Sequence, residues 1–370
     1  MRVALIHDHL AQDGGAEKVL KVLAEMFPEA PIYTLLSEKN NVDKYFKNRH
    51  IETSIIQKLP GGISHYQWYL PFMPMAVEFF DLREYDLVIS DTSSFAKGVI
   101  TTPDCLHICY CHTPTRYLWS DTHQYINELK YNKWFKKVIS MVLNSIRLWD
   151  RAAADRVDLF IANSKTVQKR ITKYYRRDSE VIYPPVETEK FKISDLSEQK
   201  DEDKYFLAGC RLAPYKRIDM VVSAFKKLGH GYKLKIFGDG VDLERLKELA
   251  ADSANIEFLG RVTEEEKARL FSEAQAFINP QEEDFGITVV ESLASGRPVI
   301  AYRKGGATET IIEGKTGLFF DEQTDESLLE AVKSFKAEDF SPEEIRDQAL
   351  KFSVANFEDK IRKFIAENKK

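Results

Sequence analysis

Short apolar runs alternate with amphipathic helical stretches along the chain, and this alternation restricts the fold more than any other feature of the sequence. Residues 3–6 form one such run, and helical spacing follows at Val19, Leu20, Leu23 and Phe27. A buried parallel strand feeding an amphipathic helix gives that pattern. Further apolar runs stand at 31–36, 51–56, 85–90 and 159–163, with a second series from 205 onward. Strands alternating with helices predict doubly wound α/β sheets. The Pro184-Pro185 pair in 181–191 cannot continue a regular element and reads as the linker between two halves. A chain of 370 residues has room for two domains of roughly 150 residues each.

Composition narrows the class. Charged residues make up 30% and hydrophobic residues 44%, the balance of a water-exposed globular protein. No apolar run reaches the roughly 18 residues of a spanning helix, and residue 3 enters a strand without a signal-peptide pattern, so a cytoplasmic location is expected. The net charge of -5 is uneven: residues 1–186 hold 24 basic and 21 acidic side chains, the remainder 29 and 37. The basic excess in the first half is too small for a nucleic-acid partner. Cys105, Cys109 and Cys111 crowd into CLHICYCH without the spacing of paired metal knuckles, and are expected as reduced residues of a buried strand.

The most informative chemistry lies in residues 276–302, AFINPQEEDFGITVVESLASGRPVIAY, read as strand, carboxylate-rich loop, helix and strand. If the helix opens near Gly286, the amides of Gly286, Ile287 and Thr288 have no intrahelical acceptor and sit at the positive end of its dipole. That end suits a phosphate. Glu291 falls about one turn further in, within reach of hydroxyls on a group attached to that phosphate, and Glu283 stands before the helix mouth. The arrangement fits a nucleoside diphosphate-sugar. Upstream, Arg211 and Lys216 follow the strand at 205–208, where a bidentate fork and a point charge can neutralise a diphosphate. Gly14 and Gly15 precede the first helix and let the backbone approach a ligand. His112 lies at the C-terminal end of a strand, where ligands bind in open parallel sheets. The acidic triplet Asp201-Glu202-Asp203 formally matches a DxD metal motif but sits in a charged stretch before a strand, so no metal is expected.

Glu283-x7-Glu291, with Phe285-Gly286 between and Gly296-Arg297-Pro298-Val299 after, resembles the signature of the family-4 retaining glycosyltransferases of GT-B fold. The preceding Arg211-Leu212-x3-Lys216 has the form typical of that family. The resemblance implies two Rossmann-like domains facing a central cleft: an acceptor-side domain over 1–186, a nucleotide-sugar domain over 187–350, and a tail over 351–370 that crosses back to the first. It implies that His112, Arg211, Lys216 and Glu283 are catalytic. Gly14, Gly15, Phe285, Gly286, Ile287, Thr288 and Glu291 would contact the donor, with Glu291 at the ribose and backbone near Val262 at the base. Arg116 and Tyr117, in CHTP-x-RY-x-W, would face the acceptor. That stretch and the YPPVET linker are similar to bacterial mannosyltransferases of polysaccharide and lipid-linked glycan assembly. GDP-mannose is therefore the expected donor, with no cofactor, and a glycan or lipid-linked molecule the expected acceptor. A UDP-sugar donor, a nucleotide-sugar epimerase or hydrolase, and a degenerate binding partner are the alternatives.

Two stretches raise the question of a membrane. Residues 59–80 are rich in aromatics and prolines, and read either as an exposed apolar surface or as a core helix with proline-punctuated ends. Residues 131–156 read as a helix with an apolar stripe at Trp134, Val138, Val142 and Trp149 and basic flanks at Lys130, Lys133, Lys136, Lys137, Arg147 and Arg151. Such a helix can lie on an anionic surface, here the inner face of the plasma membrane, or pack on the sheet.

Overall fold

A computed structural model of the chain describes residues 1–11, 14–129, 131–196, 199–200 and 203–369. Lys130 and two members of the acidic triplet, Asp201 and Glu202, lie outside the described residues. The chain forms two compact units: Met1–Tyr183 with Glu358–Lys370, and Pro184–Phe357.

The first unit holds a seven-stranded sheet: β1 (Val3–His7), β2 (Ile32–Thr34), β3 (Ile51–Thr53), β4 (Leu87–Thr92), β5 (Leu106–Cys111), β6 (Leu159–Ala162) and β7 (Ser179–Val181), in the order β3-β2-β1-β4-β5-β6-β7. Every pairing is parallel. The order reverses between β1 and β4, so the loops leaving these two strands open a crevice at their C-terminal ends. Burial on both faces explains the continuous apolar runs of β1 and β4. Cys109 and Cys111 are buried free thiols of β5, as the strand reading expects, whereas Cys105, also buried and free, lies just before the strand.

The second unit repeats the design with β8 (Phe206–Gly209), β9 (Leu234–Phe237), β10 (Ile256–Gly260), β11 (Phe277–Asn279), β12 (Val299–Tyr302) and β13 (Gly317–Phe320), in the order β10-β9-β8-β11-β12-β13. Its switch point lies between β8 and β11. Arg211 and Lys216 follow the first of these strands, and Glu283 follows the second. The helices after β6 and β10 are capped as their sequences suggest. Ser164 accepts from the Val167 amide at 3.2 Å, and Thr263 from the Glu266 amide at 3.1 Å.

Three local expectations change. The run at 51–56 is a strand only to Thr53, because Ser54 caps a 3-10 turn over Ile55–Lys58. Residues 59–80 combine the two readings: a 3-10 helix over Tyr66–Phe72 passes into a short α-helix, Met73–Glu78, which buries Met73, Ala76 and Val77, while Trp68, Phe72 and Phe79 are exposed. The helix Lys133–Asp155 buries Leu143, Ile146, Asp150, Ala153 and Ala154, and of the expected stripe Val142 and Trp149 pack half-buried against the same core while Trp134 does not. Trp134, Met141 and Leu148 instead stand 69%, 65% and 68% exposed. Spaced by seven residues, they share one outer face.

A buried charge belongs to that inner face. Lys97 and Asp150, each with a side chain 1% exposed, form an ion pair. Asp150 also accepts from Trp119 Nε1 at 2.7 Å, Tyr175 Oη at 3.0 Å and Thr115 Oγ1 at 3.2 Å. Thr115 and Trp119 of the CHTP-x-RY-x-W stretch thus hold the loop to the helix.

Candidate active site

In the second unit the β8 and β11 exits bring opposite charges together. Lys216 Nζ donates to Glu283 Oε1 at 2.5 Å. Burial works against the ammonium, but the adjacent carboxylate outweighs it and the lysine pKa is raised. Arg211, exposed on the same loop, donates to Tyr215 Oη at 2.8 Å.

Glu283 also meets the helix Ile287–Ala294. Gly286, its N-cap, adopts φ 91°, a conformation natural to glycine. A Cβ there would approach Glu283 Oε2 to 3.1 Å. Val289 donates its amide to the Gly286 carbonyl, and Ile287 and Thr288, just before it, open the helix with amides that have no intrahelical acceptor. The loop is held from behind: the Gly306 amide donates to the Glu283 carbonyl at 2.8 Å, and a Cβ on Gly305 would stand 2.2 Å from that same oxygen. Lys216, Glu283 and the helix mouth therefore meet at the switch point, with Arg211 on the loop that carries Lys216.

Three more of the residues expected at the donor belong to this unit. Phe285 turns its ring inward against Phe352, 5.6 Å between centroids, leaving its backbone to the loop. Val262 lies half-buried beyond the end of β10. Glu291, nearly fully buried, receives Lys267 Nζ at 3.0 Å from the neighbouring helix.

In the first unit His112 leaves β5 and donates Nε2–H to Asp91 Oδ1 at 2.6 Å. The other oxygen of Asp91 takes His7 Nδ1 at 2.8 Å, and His7 Nε2 lies 3.8 Å from Glu17 Oε1. Burial pushes the His7 imidazole pKa down, but the Asp91 and Glu17 carboxylates raise it to about 10. Burial likewise opposes the Asp91 anion, which the two histidines nevertheless hold below the usual carboxylate range. Asp91 thus commits Nε2 of His112 and orients its ring. Gly14 caps the helix Gly15–Met26 next to Glu17. The neighbouring Asp8 is buried and ties down the β4 exit, accepting from the amides of Ser93, Phe95 and Ala96 and from Thr92 Oγ1. Arg116 Nε donates to Asp121 at 2.7 Å, and the Tyr117 hydroxyl lies 3.2 Å from Ser94 Oγ. Asp91, His7, Glu17 and Lys267 are additions that the sequence did not single out. Among the described residues, no group of three or more His, Cys, Asp or Glu is arranged to hold a metal ion.

Two parallel sheets of Rossmann type, each with charged groups at its switch point, have the architecture of the GT-B fold. Residues 13–190 match the family described as Glycosyltransferase Family 4, and residues 189–352 match Glycosyl transferases group 1. The chain belongs to the family-4 glycosyltransferases. Among characterised relatives it is similar to the alpha-1,3/1,6-mannosyltransferase ALG2 of Dictyostelium discoideum, 23% identical over 86% of this chain and 85% of that protein. It is also similar to the GDP-mannose-dependent alpha-(1-6)-phosphatidylinositol monomannoside mannosyltransferase of Mycobacterium tuberculosis, 28% identical over 56% of this chain and 58% of that one. The fold is shared with Anabaena Alr3699/HepE in complex with UDP and glucose, with TM-score 0.73, 18% identity and 99% of each chain covered.

Proposed function

We propose that the protein transfers mannose from GDP-mannose to a hydroxyl of a glycan or lipid-linked acceptor, with retention at the anomeric carbon and without a metal. The observation that carries this reading is the Lys216–Glu283 pair at the mouth of the helix Ile287–Ala294, with Arg211 on the same loop. As the glycosidic bond breaks, negative charge grows on the departing diphosphate. Arg211, Lys216 and the helix amides are the charge-stabilising donors, and Glu283 takes hydroxyls of the transferred sugar. His112, oriented by Asp91, contacts the sugar's other edge. The leaving phosphate oxygen accepts the acceptor's proton, so no covalent nucleophile is assigned. GDP-mannose is preferred because one relative is named for that donor and ALG2 is a mannosyltransferase. The UDP complexes of Alr3699/HepE favour a uridine sugar as the second reading.

Among the described residues no helix is long and apolar enough to cross a membrane. The exposed Trp134, Met141 and Leu148, bordered by Lys133, Lys137 and Arg151, and the exposed Trp68, Phe72 and Phe79 are the surfaces assigned to a lipid-linked acceptor at the cytoplasmic membrane face. The transfer reading is tested by incubating GDP-mannose with candidate lipid-linked and oligosaccharide acceptors and determining the product's anomeric configuration by NMR. The α-donor should yield an α-mannoside. Losing one preorganised donor typically costs about 3 kcal/mol, so Lys216→Ala should reduce turnover roughly a hundredfold in a folded protein. An inverted product, or turnover near wild type in Lys216→Ala, defeats the assignment.

A further inference from the structure

Lys267 is a lysine where a packed helix face would ordinarily carry an apolar side chain. It sits one turn into the helix Glu264–Glu273, only 7% exposed, and reaches across to the helix Ile287–Ala294. Its ammonium donates to Glu291 Oε1 at 3.0 Å and to Glu264 Oε2 at 2.9 Å, and lies 5.9 Å from the centroid of the buried Phe191 ring. Glu264 is partly open to water, with a side chain 42% exposed, but that of Glu291 is 3% exposed. A carboxylate so enclosed stays ionised only with a counter-charge and hydrogen bonds. As an anion it offers acceptor sites alone, as cis-diol hydroxyls require; protonated, it loses acceptor capacity and becomes a donor.

We propose that Lys267 is a positioning residue of the donor site, anchoring one oxygen of Glu291 so that the carboxylate is presented to the ribose hydroxyls of the nucleotide. This rests on the proposed role of Glu291 and adds a second link. The helix carrying Lys267 is capped by Thr263, next to Val262, where the base is assigned. The ammonium therefore ties the ribose-binding carboxylate to the element that follows the base-binding turn. A change in Lys267 acts on both contacts without touching the diphosphate groups.

The test separates this role from a plain helix-to-helix staple. Calorimetric titrations compare GDP with 2',3'-dideoxy-GDP, and UDP with 2',3'-dideoxy-UDP, in the wild type, Lys267→Met, Lys267→Arg and Glu291→Gln. A hydrogen bond to a charged group is worth about 1.5–3 kcal/mol, so the wild type should prefer the ribose form of its own nucleotide by at least about tenfold. In Lys267→Met that preference should collapse to within about twofold, with partial recovery in Lys267→Arg. Lys267→Gln, which keeps an amide donor without the charge, carries the same comparison if the methionine variant fails to fold. Full ribose preference in the charge-removed variant overturns the proposal while leaving Glu291 at the ribose. Equal binding of ribose and dideoxy forms by the wild type, or binding of neither nucleotide, overturns the Glu291 assignment itself and the inference with it.

Discussion

Asp91→Asn keeps the side chain's shape and removes the charge shared by two histidines. In the folded protein His7 has a pKa of about 10, against 6.5 for the free ring. Because the folded value is the higher one, the stabilisation is complete below about pH 6.5 and is lost as pH rises toward 10. Between those limits the folded unit holds one proton more than the unfolded chain, so unfolding free energy falls by about 1.4 kcal/mol per pH unit. From pH 7 to 8.5 this amounts to about 2 kcal/mol. The groups facing His7 are Asp91, Glu17, Asp8 and the partly buried His9. With Asp91 neutral, Glu17 at 3.8 Å is the remaining carboxylate raising the His7 pKa against burial, and the slope should fall by more than half. Breaking the buried pair should also cost about 3–5 kcal/mol at pH 7. All four tryptophans, at 68, 119, 134 and 149, belong to the first unit, so urea unfolding followed by tryptophan fluorescence reports the relevant sheet. Burial pushes the Cys105 thiol up to about 11, and it too loses stability with rising pH, but only above the ordinary thiol range. Subtracting the variant's curve removes that contribution. Parallel slopes in wild type and variant would refute a charged His7 held by Asp91.

Other perturbations address the supports of the site. Asp150→Asn leaves the Lys97 ammonium buried without its counter-ion and should cost about 3–5 kcal/mol by the same fluorescence assay; a loss below 1 kcal/mol would show that Lys97 finds other compensation. Gly305→Ala sets a Cβ 2.2 Å from the Glu283 carbonyl at a φ of +65°, and should lower kcat/KM at least about tenfold, since small misplacements of a positioning loop are costly. Unchanged kinetics would mean the loop tolerates the shift. Trp134→Glu with Leu148→Glu should reduce co-sedimentation with anionic vesicles severalfold, and undiminished binding would dismiss that face as the lipid contact.

Much of the fold is local and was readable as such. The periodicity switch after residue 6, the double proline at 184–185, and the Ser164 and Thr263 caps each act within a few residues. The loop and helix of 276–302 were equally legible because Gly286 and both glutamates lie in one short segment. The supporting shell was not. Asp91 meets His7 across 84 residues and Lys97 meets Asp150 across 53, so neither pair leaves a sequence spacing to read. Lys267 was hidden inside an acidic run, where a lysine reads as a solvated charge. Helix 133–155 was legible only in part: Val142 and Trp149 of the expected stripe pack on the core, but Trp134 joins Met141 and Leu148 on a second, exposed apolar face that periodicity alone does not separate from the first. The face that was covered contains an aspartate, whose burial depends on a lysine from another element.

The most direct test of the donor site is a calorimetric titration of GDP-mannose into the wild type and Lys216→Ala, with UDP-glucose as comparator and EDTA present throughout. The account predicts saturable GDP-mannose binding by the wild type and weakening of at least about tenfold in the variant, as loss of a charged phosphate contact requires. Selective UDP-glucose binding would retain the site and overturn the mannose donor. Equal affinity of wild type and Lys216→Ala for whichever sugar nucleotide binds would contradict the central claim that the Lys216–Glu283 pair receives the diphosphate-sugar.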